Sequence, residues 1–359
     1  MIDNDFIRKH LWRRSGLSAA LSPLAALTSL YQQHRRQQAL GNQFQPPCAV
    51  ISIGNLCSGG SGKTPFTIFL ARLLHKQGYR VGVSHRGYKG AFEHYPALIS
   101  SGEGLLHPPH RCGDEAALIA SRLPGIPVVA GRQRKAAISL LLAAFPDLQL
   151  VIMDDGFQHL KVARQLDIVC FDGEVGIGNG MLLPAGYLRE PLSALSRDNI
   201  LVINHKQEGG SNPELERMLA DYSDHLVNCH YHYSAWVESS GQGHRLPYPR
   251  GKSCLLVSGI AHPGSFEAAV RALGVIWLHH FAFGDHYSYA DENELDRIAT
   301  LAEKYRVEHI LCTEKDMMKL CRHKRLENML LALQITLRCK NERELLKWVE
   351  DGIRGVVAS

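Results

Sequence analysis

The stretch that most limits the fold is residues 48–74, where an apolar run, CAVISI, passes through GNLCSGGSGKTPF into a helical pattern. Phe66, Phe69, Leu70, Leu73 and Leu74 recur at i, i+3, i+4, i+7 and i+8, one face of an amphipathic helix ending near Gly78. A buried strand, a glycine-rich turn and a helix opening on Gly62-Lys63-Thr64 are the setting of a phosphate-binding loop. The strict pattern also wants a glycine at position 57, where Cys57 stands. Backbone N–H groups at Gly59, Gly60, Ser61 and Gly62 suit the wrapping of phosphates, with the helix N-terminus behind them. Lys63 suits β- and γ-phosphate oxygens, and the Thr64 hydroxyl suits Mg²⁺. A glycine turn of structural purpose alone is the competing reading, and the Gly-Lys-Thr at a strand–helix junction argues against it.

Apolar runs then alternate with helical patterns. Strands are predicted at 79–85, 126–130, 148–154, 166–171 and 199–204, and this rhythm implies an α/β fold with a parallel sheet covered on both faces. Residues 205–250 break it. The segment 225–238 alternates partly and is followed by SSGQG, which reads as a strand or hairpin joining two halves. Alternation resumes with strands at 253–260, 275–283, 308–313 and 330–336 and helices at 264–273, 291–305 and 341–351. The expected organisation is an N-terminal segment 1–40, a phosphate-loop domain 41–205, a linker 206–252 and a smaller α/β domain 253–359.

The nine cysteines form no CxxC pair and no zinc-like spacing, and several lie in strand-like runs, as expected of reduced, buried thiols. Of a net charge of +5, the first 40 residues hold +4, from Arg8, Lys9, Arg13, Arg14, Arg35 and Arg36 against Asp3 and Asp5. The remainder is nearly neutral, which excludes a broad nucleic-acid-binding surface. Between the basic clusters, residues 15–33 carry no charge but include serines, glutamines and Pro23, too polar to span a bilayer well. A surface helix with its leucines in lipid and its arginines at headgroups is one reading. A soluble helix packed on the domain is the other.

Four features suit phosphoryl transfer. Beyond the loop, LVIMDD ends an apolar strand in Asp154-Asp155, a Walker B pattern that anchors Mg²⁺ directly or through water. In CGDEAALIA, Asp114 and Glu115 open a helix; they either cap it or provide a carboxylate near the γ-phosphate to take a proton from an attacking alcohol. In FGDHYSY, His286 belongs to the second alternating region and is suited to orient a carboxylate of the first when the two halves meet. An extra early loop lysine is replaced by Ser58, and TEKD (313–316) has the wrong order for guanine reading. Both count against a nucleotide switch or metal chaperone, the main rival.

GNLCSGGSGKTPF, SHRGYKG, GDEAALIA, MDDGFQHLKVARQLDIVCFD, LLPAGYLREP, SGIAHPGSF, FGDHYSY and TEKD follow one another in this order. Together they resemble the tetraacyldisaccharide 4'-kinases over roughly residues 45–350. The resemblance implies two α/β/α domains joined by a β-linker, and transfer of the ATP γ-phosphate to the 4'-hydroxyl of a tetraacylated disaccharide 1-phosphate. The product is lipid IVA, Mg²⁺ is required, and the work is done at the cytoplasmic face of the Gram-negative inner membrane. It implies Lys63 and Thr64 in the phosphate loop, Asp114 as base and His286 as its partner. It further implies Glu115, Asp154 and Asp155 around the metal, with Arg189 and Tyr88 near the lipid substrate. The family often lacks the glycine that Cys57 replaces, and it carries an N-terminal membrane-associated helix, which favours the surface reading of residues 15–33. The lipid disaccharide and an anionic membrane surface are the expected partners of a monomer. A small-molecule kinase without membrane contact is the remaining alternative.

Overall fold

The computed structural model describes residues 14–246, 248–260, 263–285 and 287–357. Thirteen strands among them form one sheet. In chain order they are β1 (Ala49–Gly54), β2 (Val81–His85), β3 (Ala97–Ser100), β4 (Val128–Ala130), β5 (Leu150–Asp154), β6 (Leu166–Asp172) and β7 (Ile200–His205). Then come β8 (His225–Glu238), β9 (Gly243–Arg245), β10 (Cys254–Ser258), β11 (Trp277–Ala282), β12 (His309–Thr313) and β13 (Leu330–Cys339). The order across the sheet is β11-β10-β12-β13-β8-β7-β6-β1-β5-β2-β4-β3, with β9 on β8. Helices are α1 (Gly16–Leu40), α2 (Lys63–Lys76), α3 (Asp114–Arg122), α4 (Arg134–Ala144), α5 (Pro213–Ala220), α6 (Pro263–Ala272), α7 (Glu292–Lys304), α8 (Glu314–Leu320) and α9 (Glu342–Val357).

The parallel-dominated α/β sheet expected from the sequence is present. All six residues of β1 are buried, because helices cover both faces of a central parallel strand. Ala49, Ile51 and Ile53 meet Phe66, Leu70 and Leu74 of α2, while Val50 joins Ile138 and Leu141 of α4. The last helix, α9, turns back to the first half and adds Leu345, Val349 and Ile353 to the core around β1 and β6. Beyond β8, Leu255 and Ile310 pack on Leu295 and Ile298 of α7, and Leu256 and Leu311 on Phe266 and Val270 of α6. β3 has no counterpart in the sequence reading. It is four residues long, between Pro96 and Ser101-Gly102, too short for a periodic signal, and pairs antiparallel on the edge.

The halves meet at β8, which runs parallel to β7 and antiparallel to β13. It also turns back on β9 as a hairpin, Ala235 opposite Arg245. The seam carries a register shift between Gln334 and Ile335.

Helix α1 begins with a capping box between Ser15 and Ser18. Pro23 has no N–H for the Ala19 carbonyl, and the Ser22 hydroxyl donates to that oxygen instead at 2.8 Å. The inward face, including Ser18 and Ala25, rests on the domain, whereas Leu17, Leu24, Leu27, Leu30 and Tyr31 are exposed. No helix among the described residues is long and apolar enough to cross a membrane. Arg8, Lys9 and Arg13 lie outside the described residues.

Candidate active site

β6, β1, β5 and β2 lie side by side and parallel, so the segments leaving their carboxyl ends gather along one rim. The loop after β1 enters α2 through Gly62, in the left-handed region at φ +78°. A Cβ there would lie 2.6 Å from the Asn204 amide nitrogen, so glycine is required both for conformation and for space. Asn204 donates to the Ser61 carbonyl at 2.7 Å and holds the turn from β7. No side chain caps α2 and its first turn has no acid, which leaves N–H groups and the positive end of the helix for an anion. Pro65 removes an N–H that the first turn does not use.

A second strut comes from residues 187–190. Ser58 N–H donates to the Tyr187 carbonyl at 2.9 Å, and Cys57 bridges to Leu188. Cys57 is buried, its thiol donates to the Gly176 carbonyl at 3.4 Å, and burial pushes its pKa up to about 12. It packs the loop onto the core and is no nucleophile.

The acidic centre follows β5. Asp154 is buried and accepts from Thr64 Oγ1 at 3.1 Å and Thr67 Oγ1 at 2.8 Å. Burial raises its pKa, and Glu115 adds to that effect while His85 opposes it. Asp155 takes a left-handed conformation, φ +52°, which turns its carboxylate toward Lys63 Nζ at 3.4 Å and Arg189 at 3.6 Å. Burial works against its charge, but Lys63, Arg189 and Arg134 outweigh that and hold its pKa below the usual carboxylate value. The buried Arg134 donates to the Asp154 carbonyl and so braces the end of the strand.

His85, at the end of β2, links this centre to α3. The Gly87 N–H donates to its Nδ1 at 2.9 Å, which leaves the hydrogen on Nε2. Nε2 lies 3.4 Å from Glu115 and 3.7 Å from Asp154. On its other side Glu115 is bonded to Lys315. Burial opposes ionisation of Glu115, yet Lys315 and His85 hold its pKa well below the usual value. Asp114 does not cap α3: Gly113, at φ +84°, is the N-cap residue, and Lys319 lies 2.7 Å from the Asp114 carboxylate. Both lysines come from α8. So does Glu314, which accepts from Arg122 at the other end of α3 at 2.5 Å.

The structure thus gathers Lys63, Thr64, Asp154, Asp155 and Arg189 at the loop, with Glu115 joined to them through His85 and Asp114 next to it in the chain, held by Lys319. Arg189 also bonds the Asn55 side chain. Tyr88 is 46% exposed in the turn whose backbone packs on Gly113, beside Asp114. His286 lies outside the described residues; its neighbour Asp285 adds to the field that raises the Lys315 pKa, in which burial lowers and Glu115 raises. His85, Thr67, Arg134, Lys315 and Lys319 were not singled out from the sequence. A polar residue closing the buried VGVSH strand was the available signal for His85, and TEKD for Lys315.

Among the described residues no group of three or more His, Cys, Asp or Glu side chains is arranged to hold a metal ion unaided. The donors beside the loop are oxygens of Thr64, Asp154 and Asp155. That set fits Mg²⁺, a hard cation that takes one or two carboxylates and fills its other positions with water and phosphate oxygens.

A sequence model of the tetraacyldisaccharide-1-P 4'-kinase family matches residues 17–354. The chain belongs to this family. A tetraacyldisaccharide 4'-kinase from Syntrophus aciditrophicus is 33% identical, over 96% of this chain and 98% of that protein. One from Geobacter metallireducens is 37% identical over 76% of this chain and 78% of its own length. The crystal structure of LpxK from Aquifex aeolicus in complex with ATP superposes with a TM-score of 0.75 at 27% identity, covering 94% of this chain and 99% of that one. The tetraacyldisaccharide 4'-kinase family is one of kinases, so the chain is an ATP-binding enzyme with a place in lipid A biosynthesis.

Proposed function

We propose that this kinase transfers the γ-phosphoryl group of ATP to the 4'-hydroxyl of a tetraacyldisaccharide 1-phosphate, giving lipid IVA, at the cytoplasmic face of a Gram-negative inner membrane. The observation that carries the reading is the approach of Glu115, the neighbour of Asp114 at the start of α3, to the phosphate loop: His85 ties Glu115 to the Asp154 that accepts from Thr64. A nucleotide switch needs the loop and Asp154 alone; a carboxylate beside them serves an acceptor that must lose a proton.

In this reading residues 41–205 bind the nucleotide, 253–359 close the other side of the cleft, and 206–252 join them. The loop amides and Lys63 hold the β- and γ-phosphates in line with the acceptor oxygen. Thr64, Asp154, Asp155 and Glu115 hold Mg²⁺, which when bound offsets charge on the phosphate oxygens. Asp114 takes the hydroxyl proton, with His286 as its partner, as the new O–P bond forms and the bond to ADP breaks. Arg189 and Tyr88 contact the lipid headgroup. The outward leucines of α1 support a membrane-surface position, since four acyl chains resist leaving lipid at about 0.8 kcal/mol per CH₂.

The test is incubation with γ-labelled ATP and the lipid disaccharide, followed by separation of products. Label in the lipid, absent with Lys63→Ala, is expected. Label released only as inorganic phosphate overturns the reading.

A further inference from the structure

Helix α8 places an ammonium in the cleft that phosphate binding does not require. The Lys319 side chain retains 7% exposure. A buried cation is costly unless its donors are engaged, and three groups surround this one. Asp114 Oδ2 lies at 2.7 Å, the Tyr287 carbonyl accepts at 2.7 Å, and the Tyr289 ring centroid is 5.9 Å away. Asp114 opens α3 in the first half; Tyr287 and Tyr289 belong to the segment after β11 in the second. That segment is independently fixed, since Tyr289 Oη donates to Asp316 at 3.0 Å and Phe283 stacks on Tyr287 at 4.5 Å.

Stability alone does not call for a charge here. A buried ion pair often contributes no more than an apolar side chain of similar volume, and methionine would fill the same space. The ammonium supplies a direction instead: it holds one carboxylate oxygen of Asp114 against the main chain at Tyr287, across the seam between the halves.

We propose that Lys319 is a positioning residue, which sets the orientation of Asp114 toward the acceptor hydroxyl and docks the segment flanking His286 onto it. This rests on Asp114 as the proton acceptor. Lys319 itself touches no reacting atom. It acts through Asp114, so its effect exists only while Asp114 is a carboxylate.

The experiment is a double-mutant cycle on the full-length enzyme, using γ-labelled ATP and the lipid disaccharide. The variants are Lys319→Met, Asp114→Asn and both together, with ATP affinity measured alongside. Lys319→Met is expected to lower kcat by about 10–100-fold, with KM for ATP and ATP affinity within about twofold of the parent. In the Asp114→Asn background the same change is expected to cost less than about twofold, because coupled residues are not additive. Lys319→Arg, which retains the charge, is expected to recover most of the turnover. An equal loss in both backgrounds overturns the proposal, as does full activity of Lys319→Met. Should Lys319→Met lose ATP binding through misfolding, Lys319→Gln enters the same cycle, and a loss that persists with Asp114→Asn overturns it. A parent enzyme that labels no lipid overturns the activity reading, a result distinct from an additive cycle.

Discussion

At the scale of the residue, the two aspartates ending β5 have opposite electrostatic fates. Asp154 is raised by burial, whereas Asp155 is lowered because Lys63, Arg189 and Arg134 outweigh its burial. A raised folded pKa means that ionisation of Asp154 opposes folding as the pH climbs through that value. Asp154→Asn is therefore expected to raise the melting temperature of the nucleotide-free enzyme at pH 7, by about 1–2 °C for each kcal/mol relieved. Nucleotide–Mg²⁺ binding should weaken in the same variant; calorimetry with and without nucleotide measures both. Glu115 has the opposite sign. Its folded pKa is depressed, so its stabilising contribution is complete above the ordinary glutamate pKa of about 4.3. It is lost as the pH falls toward the folded value. The destabilisation by Lys315→Met should accordingly be greatest near neutrality and shrink on acidification below about pH 4.3, as read from urea unfolding at a series of pH values.

At the scale of the element, the contact between α3 and α8 joins the halves on the cleft side. Arg122 is buried there and Glu314 is partly buried, and Glu314 also accepts from the Ile335 N–H at 3.1 Å. Arg122→Ala strands a largely buried carboxylate and should cost about 2–4 kcal/mol in urea unfolding, with part regained in Arg122→Ala/Glu314→Gln. These short helices also mark where sequence reading ran out. Gly62-Lys63-Thr64 and Asp154-Asp155 were legible because each is a local pattern at a strand end. Asp114 and Glu115 left two readings open, because a helix opening on two acids fits a cap as well as a base. Lys319 carries no local mark, and TEKD marks Lys315 without showing its partner. The two lysines meet Asp114 and Glu115 about 200 residues away only because β12 lies in the same sheet as β2 and β5.

At the scale of the whole molecule, α1 is bound tightly to the site it flanks. Arg35 donates to the Gln158 carbonyl at 2.8 Å, and Arg36 donates to Glu190 at 2.9 Å while lying 4.8 Å over the Phe157 ring. Those partners follow Asp155 and Arg189 in the chain. The opposite face of α1 carries Leu24, Leu27 and Leu30. Replacing these three with aspartate should reduce co-sedimentation with anionic vesicles by at least about tenfold and leave ATP affinity unchanged. Vesicle binding equal to that of the parent would assign the face another role.

The seam at β8 and β13 limits how such an enzyme opens. Two bodies on a loose tether swing apart freely, but here nine pairs from Leu331↔Glu238 to Cys339↔Cys229 run across the boundary. Separating the halves as rigid bodies would break that ladder. What remains is torsion. The ladder between β8 and β13 is irregular at Gln334 and Ile335, where a bulge changes the local twist and the Ile335 N–H meets Glu314. A few degrees of added twist there would carry α8, with Lys315 and Lys319, toward or away from α3. Access to the cleft would then be set by the twist of one continuous sheet.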